Sequence, residues 1–224
     1  MPRFAPLPAV QPRFASSIAP SSRLAAFRRS IGFGQSNLTL GLPRVDGLTD
    51  GFARGALHEI VGERGAVAGF LAALLGRDRR QSNILWVTSG AGLHAPALAQ
   101  LGLDHRRLTV VTTPRAGDRC RAAEDALAEK LGYGAVVAEI EQADHDMTQR
   151  LQAAAEQRGS IGFLVRPDRG DDSAAATRWS VAAAQSDGAR PCWRIALEIP
   201  RGEKQIDAWL VEWDAAAGAF RPVA

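Results

Sequence analysis

Gly62 and Gly65 lie between the apolar runs 56–61 and 67–75, with Gly69 just inside the second, where a loop could hold a phosphate. A strand that breaks at a glycine into a helix presents backbone N–H groups to an anion, and the helix dipole adds to the attraction. The working form of such a loop reads G-x-x-x-x-G-K-[ST]. Its lysine meets the β- and γ-phosphates, and its hydroxyl sits on Mg²⁺. Counted from Gly62, the final glycine, lysine and hydroxyl positions fall on Val67, Ala68 and Gly69. Ala68 offers no charge and Gly69 no hydroxyl, so the loop is vestigial: the frame is present without its ligands. Backbone donors near the three glycines and the charge of Arg64 leave at most a weak hold on an anion. The expectation is a chain that hydrolyses no Mg-ATP and carries no cofactor, with glycines that serve the turn.

Other reactive residue types form no site. Cys120 and Cys192 are far apart, which implies neither a disulfide framework nor a thiolate metal site and leaves buried, reduced thiols. His58, His94, His105 and His145 lack the short spacings that put two ligands on one helix face, so no metal is expected. Charge is uneven. Residues 1–45 carry Arg3, Arg13, Arg23, Arg28, Arg29 and Arg44 with no acid, a charge of +6, and the whole chain's +3 leaves −3 for the remainder. A basic, proline-rich arm of this kind contacts nucleic acid or an acidic partner, or is simply a solvated tail.

The elements that must position these residues follow from periodicity. At 224 residues the chain can bury one sizeable core. No apolar run is long enough to span a bilayer, and prolines and arginines interrupt the start, so a cytoplasmic protein without membrane contact is expected. Residues 1–35 read as an arm with one short helix, 21–31, and residues 36–224 as the folded domain. The stretch 38–42 is β-prone, and 47–52 reads as a turn. Strands are expected at 56–61, 84–87, 108–112, 135–140 and 161–165. Between them lie helices at 67–75, ending at Gly76, and at 96–101. Two more run from an Asp118 cap to 131, and from an Asp146–Gln149 capping box to Gln157, where Gly159 closes the helix. That alternation gives an α/β fold, a mostly parallel sheet flanked by helices. Runs 177–183, 192–199 and 208–213 follow without helices, so the sheet should end in antiparallel strands joined by a turn at 201–205. Trp209, Val211 and Trp213 share one face and belong to the core.

This order of parts resembles the RecA fold. The segment Arg54-Gly55-Ala56-Leu57-His58-Glu59-Ile60-Val61-Gly62 is similar to the strand entering its phosphate loop, and 84–89, 101–104 and 108–112 to the two following units. The resemblance implies that Glu139, closing Ala135-Val136-Val137-Ala138, stands where RecA-like ATPases carry the acid that supports Mg²⁺. It also puts Gly90 where they carry the glutamate that orients the attacking water. Within that superfamily, Gly55-Ala56-Leu57-His58-Glu59, Gly134-Ala135-Val136-Val137, Thr177-Arg178-Trp179 and Trp209-Leu210-Val211-Glu212-Trp213-Asp214 resemble recurring segments of the ImuA family, from about residue 38 to 220.

The ImuA resemblance implies a non-catalytic accessory of SOS-induced mutagenic translesion DNA synthesis. Its expected partners are an ImuB-like protein and an error-prone DNA polymerase, with RecA or DNA as further contacts. Two alternatives stand beside it. One is a DNA-binding module that uses the arm and the arginines Arg23, Arg28, Arg29, Arg77, Arg79 and Arg80; the other is a SulA-type cell-division inhibitor on the same degenerate core. The stretch 21–42 is the first candidate for a partner contact.

Overall fold

The computed structural model describes residues 37–90, 93–128, 132–170, 172–186, 188, 190–198 and 205–223. Strand β1, Ala56–Val61, is buried at all six positions, as a strand covered on both faces must be. It lies inside one nine-stranded sheet ordered β3-β2-β4-β5-β1-β6-β7-β8-β9. The members are β2 (Asn83–Thr88), β3 (Leu108–Thr112), β4 (Tyr133–Glu139), β5 (Ile161–Arg166), β6 (Thr177–Ala183), β7 (Cys192–Glu198), β8 (Gln205–Asp214) and β9 (Ala219–Pro222). From β3 through β6 every pairing is parallel. From β6 to β9 every pairing is antiparallel. The mixed sheet is therefore as expected, and β9 is a strand that the sequence reading does not contain. Its four residues are too few to show a period.

Helices cover both faces. On one side lie α1 (Pro43–Thr49), α2 (Arg64–Gly76) and α3 (Ala95–Gln100), packed with the inner faces of β6 to β9. On the other lie α4 (Ala116–Ala128) and α5 (His145–Arg158). Helix α2 is buried all round, from Ala66 to Leu75 with only Gly69 half-buried. A helix apolar on every side belongs inside the molecule. Trp193, Trp213 and Phe220 close over it, with Phe70 and Phe220 ring centres 5.6 Å apart. Of the tryptophans of β8, Trp213 is core as expected, while Trp209 is half-buried and packs against the core.

Several local expectations are corrected. Helix α2 begins at Arg64, three residues before Val67: Glu63 is extended (φ −61°, ψ 134°), and Arg64 and Ala66, good helix formers, flank Gly65 in the first turn. Residues 38–42 form no strand. Leu38 makes one antiparallel bridge to Phe52, and Pro43 then starts α1, its fixed φ suited to a first helical position. The turn expected over 47–52 is helical to Thr49 and left-handed only from Asp50. Helix α4 starts at Ala116, so Asp118 lies in its first turn and is not its cap. Asp144, not Asp146, caps α5, accepting the Met147 N–H at 2.7 Å, while Gln149 bonds His145; Gly159 closes the helix in the left-handed conformation as expected. Leu38, Leu40, Leu42 and Val45 are all buried, so within 38–42 the residues with surface open to a partner are Thr39 and Gly41. The arm at 1–35, its helix at 21–31 and residues 201–204 of the turn expected over 201–205 lie outside the described residues, and Gln205, the last residue of that turn, is already in β8. Among the described residues no helix is long and apolar enough to cross a membrane.

Candidate functional site

Strand β1 delivers the chain to Gly62 at the carboxyl edge of the parallel strands, the edge where open α/β sheets bind ligands. The Gly62 N–H donates to the Arg166 carbonyl at 3.0 Å, so that donor is spent within the sheet. Gly62 has φ +154°, and a Cβ there would lie 2.0 Å from the Val181 carbonyl oxygen of β6. Only glycine fits this crossing. Since α2 starts at Arg64, the loop is Gly62 and Glu63 alone, whereas the working motif spaces its glycines by four residues to wrap a phosphate. Gly65 is exposed in the first helical turn, and Gly69 lies in the helix body, where its Cβ position faces Trp193 at 3.3 Å and Leu101 at 3.5 Å. Val67 and Ala68 are buried. The three glycines are thus not three loop donors: one crosses β6, one is in a helix start and one seats a tryptophan.

Glu139 ends β4 and is only 4% exposed. Its carboxylate accepts from Trp86 Nε1 and from Thr88 Oγ1, each at 2.9 Å. Arg64 Nε stands 3.2 Å from the same carboxylate, and its Nη2 reaches Ser89 Oγ at 3.3 Å and Glu141 at 3.6 Å. Arg64 therefore turns back onto β2 and β4. Arg119, 2% exposed, completes the cluster by donating to the backbone oxygens of Glu139 at 2.6 Å, Thr113 at 2.9 Å and Pro114 at 2.8 Å, and to the Glu141 carboxylate. Two carboxylates and two guanidiniums close on one another. Sequence reasoning missed Arg119, although it stands four residues before Ala123 and eight before Leu127, on the buried stripe of α4. Gly90 adopts φ +113°, with its Cβ position 2.9 Å from Thr112 Cγ2, so a side chain there would be strained.

A second buried polar group lies in β1 itself. Glu59, 0% exposed, takes Arg166 at 3.2 Å and Arg178 at 3.1 Å, joining β5, β1 and β6. Beside it, His58 Nε2 lies 3.0 Å from the Ala53 carbonyl, which can only accept, so Nε2 carries the proton and Nδ1 accepts from Thr177 Oγ1 at 2.7 Å. Thr177 Oγ1 in turn accepts from Trp179 Nε1 at 3.0 Å. Burial lowers the His58 pKa to about 4, against the raising effect of the Ala53 hydrogen bond, and keeps the ring neutral. Cys120 and Cys192 are free and buried, and burial raises both thiols.

The arginines Arg77, Arg79 and Arg80 lie at the opposite edge, where the parallel strands begin. With Asn37, Leu38, Thr39, Arg54 and Asp78 they line a cleft of about 300 Å³. Arg54 and Asp78 pair in its wall at 2.8 Å, both nearly buried. Arg77 bonds the Gly218 carbonyl at 3.0 Å, and burial lowers its pKa while nearby Asp46 raises it. Arg79 and Arg80 are exposed. Arg23, Arg28 and Arg29 lie outside the described residues.

Against known proteins, no protein-family model matches the chain. It is 32% identical over 213 residues to the protein ImuA of Caulobacter vibrioides, in strains NA1000 / CB15N and ATCC 19089 alike, a match that covers 83% of this chain and 86% of the relative. Among solved structures, the RadB recombinase superposes with a TM-score of 0.60 at 15% identity, over 84% of this chain and 100% of that one. At that identity the likeness concerns the fold, which is RecA-like.

Proposed function

From a chain that belongs to the ImuA family, we propose a non-catalytic accessory of SOS-induced mutagenic translesion synthesis, a cytoplasmic scaffold beside an ImuB-like protein and an error-prone DNA polymerase. RecA is a further candidate contact. In this reading the phosphate loop is degenerate and the RecA-like body is retained as a frame for protein contacts. The observation that carries it is the ion pair of Arg64 with Glu139 at 3.2 Å. The position that would support Mg²⁺ is engaged by three side chains of the protein itself, and the helix begins where the phosphate would need an open loop. Activity is then to be sought on the outer surfaces.

The test is affinity purification of the tagged full chain from DNA-damaged cells, in parallel with a chain starting at residue 37. Truncation stops there because Leu38, Leu40, Leu42 and Val45 are core. The full chain is expected to bring down the polymerase components, and loss of the arm to weaken their recovery. Unchanged recovery would move the contact to the body. Division proteins in their place would replace this reading with that of a division inhibitor.

A further inference from the structure

The sheet ends at β3, whose outer edge pairs with no strand among the described residues. The Thr113 N–H donates to the Thr88 carbonyl of β2 at 3.0 Å. By the alternation of a strand, the N–H and C=O groups of Leu108, Val110 and Thr112 therefore point away from the sheet. Of these only the Leu108 N–H is met, by the His105 carbonyl. Neither layer of helices overhangs this edge: Thr109, Val110 and Thr112 are exposed, Val110 at 45%. The opposite edge is guarded. Strand β9 is four residues long and carries Arg221 and Pro222, a cation and a residue without an N–H, devices by which an edge refuses a further strand. Strand β3 has neither device; its five residues are β-prone and uncharged, as are Thr113 and Pro114 after it. Before β3 stand Asp104 and Arg106, paired at 3.0 Å. After it stand Arg115 and Asp118, both exposed and neither with a side-chain partner among the described residues.

We propose that β3 pairs antiparallel with β3 of a second copy of this chain, across a twofold axis at Val110, so that two sheets join into one. In this register the two Val110 residues exchange N–H to carbonyl bonds, and the Thr112 N–H of each copy donates to the Leu108 carbonyl of the other. The Thr112 carbonyl is left over because the Leu108 N–H is spent, and it stays at the wet end of the ladder. Val110 then packs on its symmetry mate, Thr112 on Leu108 and Thr109 on Val111, pairs of aliphatic and β-branched side chains that favour a ladder. Charge selects a second copy over an arbitrary strand. The antiparallel arrangement brings Arg115 and Asp118 of one copy to the end where Asp104 and Arg106 of the other stand, one acid and one cation against the same set. A parallel arrangement would set Arg106 on Arg106 and Arg115 on Arg115. Five residues bury less than a permanent interface needs, so the dimer is reversible and depends on concentration. The scaffold reading neither requires nor supplies this contact.

The test is oxidative cross-linking of the full chain carrying Val110→Cys or Thr112→Cys. Across the proposed axis the two Cα atoms at 110 lie about 5.5 Å apart, within the ~4.4–6.8 Å that a disulfide spans. Those at 112 are offset by four residues, roughly 14 Å along the strand. Cys120 and Cys192 are buried and offer no competing exposed thiol. Val110→Cys should therefore give a covalent dimer and Thr112→Cys only background. In sedimentation equilibrium, Val110→Lys should raise the dimer dissociation constant about tenfold or more. Leu210→Lys, the same change at the other exposed large apolar residue among those described, should leave it unaltered. A full chain that is monomeric up to about 100 μM, equal cross-linking from 110 and 112, or an equal loss from lysine at 110 and at 210 overturns the proposal. Self-association without a cross-link at 110 would give the edge to another segment of the second copy, and overturns this pairing as well.

Discussion

His58 and Glu59 show how a side chain that looks reactive in a sequence can be held inert. Both sit in a six-residue strand with no exposed position, yet each polar atom is met: His58 by Ala53 and Thr177, Glu59 by two arginines. The histidine has a consequence in pH. Its folded pKa of about 4 lies below the unfolded value near 6.5, so between them the unfolded chain binds a proton that the folded chain refuses. Stability from this group is complete above about 6.5, falls as pH drops toward about 4, and is then constant. The interval corresponds to about 3 kcal/mol. Urea unfolding at a series of pH values should show that loss in the native chain, and His58→Gln, which keeps a donor and an acceptor without titrating, should remove its share of the slope. Parallel curves for the two proteins would contradict the assignment of a buried neutral ring. The polar pair was readable as residues but not as a network. Its partners Arg166 and Arg178 lie 107 and 119 positions from Glu59, and a single sequence carries no signal across that distance.

At the scale of the element, helix α2 decides what the Gly62 turn can do. The sequence placed its start at Val67, where apolar periodicity begins, and so left room for a loop; three further residues of helix remove that room. Restoring the letters of the motif should therefore not restore the chemistry. Ala68 is 7% exposed, and Gly69 has Trp193 3.3 Å from its Cβ position, so Ala68→Lys with Gly69→Ser would push a charge and a hydroxyl into a packed face. The double variant should lose at least ~2 kcal/mol in denaturant unfolding. Calorimetry with Mg-ATP should detect no binding by it, as with the native chain. Micromolar affinity in either protein would mean that a phosphate can displace Arg64 from Glu139, and the account of the site would fail. Helix ends depend on φ/ψ at one or two residues, here Glu63 at α2 and Asp144 at α5, which apolar spacing does not report.

Over the whole molecule, the part of the fold that was legible is the part made of buried runs. Strands such as Ile161–Arg166, covered on both faces, read as continuous apolar segments, and their alternation with helices left few topologies open. The ends were not legible. Helix α1 hides behind glycine and proline, β9 is four residues long, and both belong to the apolar cluster that contains α2. Arg77 joins these ends physically. Its guanidinium packs on Gly41, whose Cβ position is 2.4 Å from Nη2, and bonds the Gly218 carbonyl in the turn before β9. The segment leading out of the arm, the C-terminal hairpin and the central helix thus share one apolar cluster, and should lose structure together. Phe220, 4% exposed, tests this, because its ring touches Phe70 of α2, Trp193 of β7 and Trp213 of β8. Phe220→Ala should cost about 3–5 kcal/mol. If the cluster is one cooperative unit, tryptophan fluorescence and far-UV circular dichroism will shift to lower denaturant by the same amount. Were the fluorescence transition alone to move, the hairpin would be a separate lobe laid on a self-sufficient parallel sheet, and the closure of the core through Arg77 and Phe220 would be wrong.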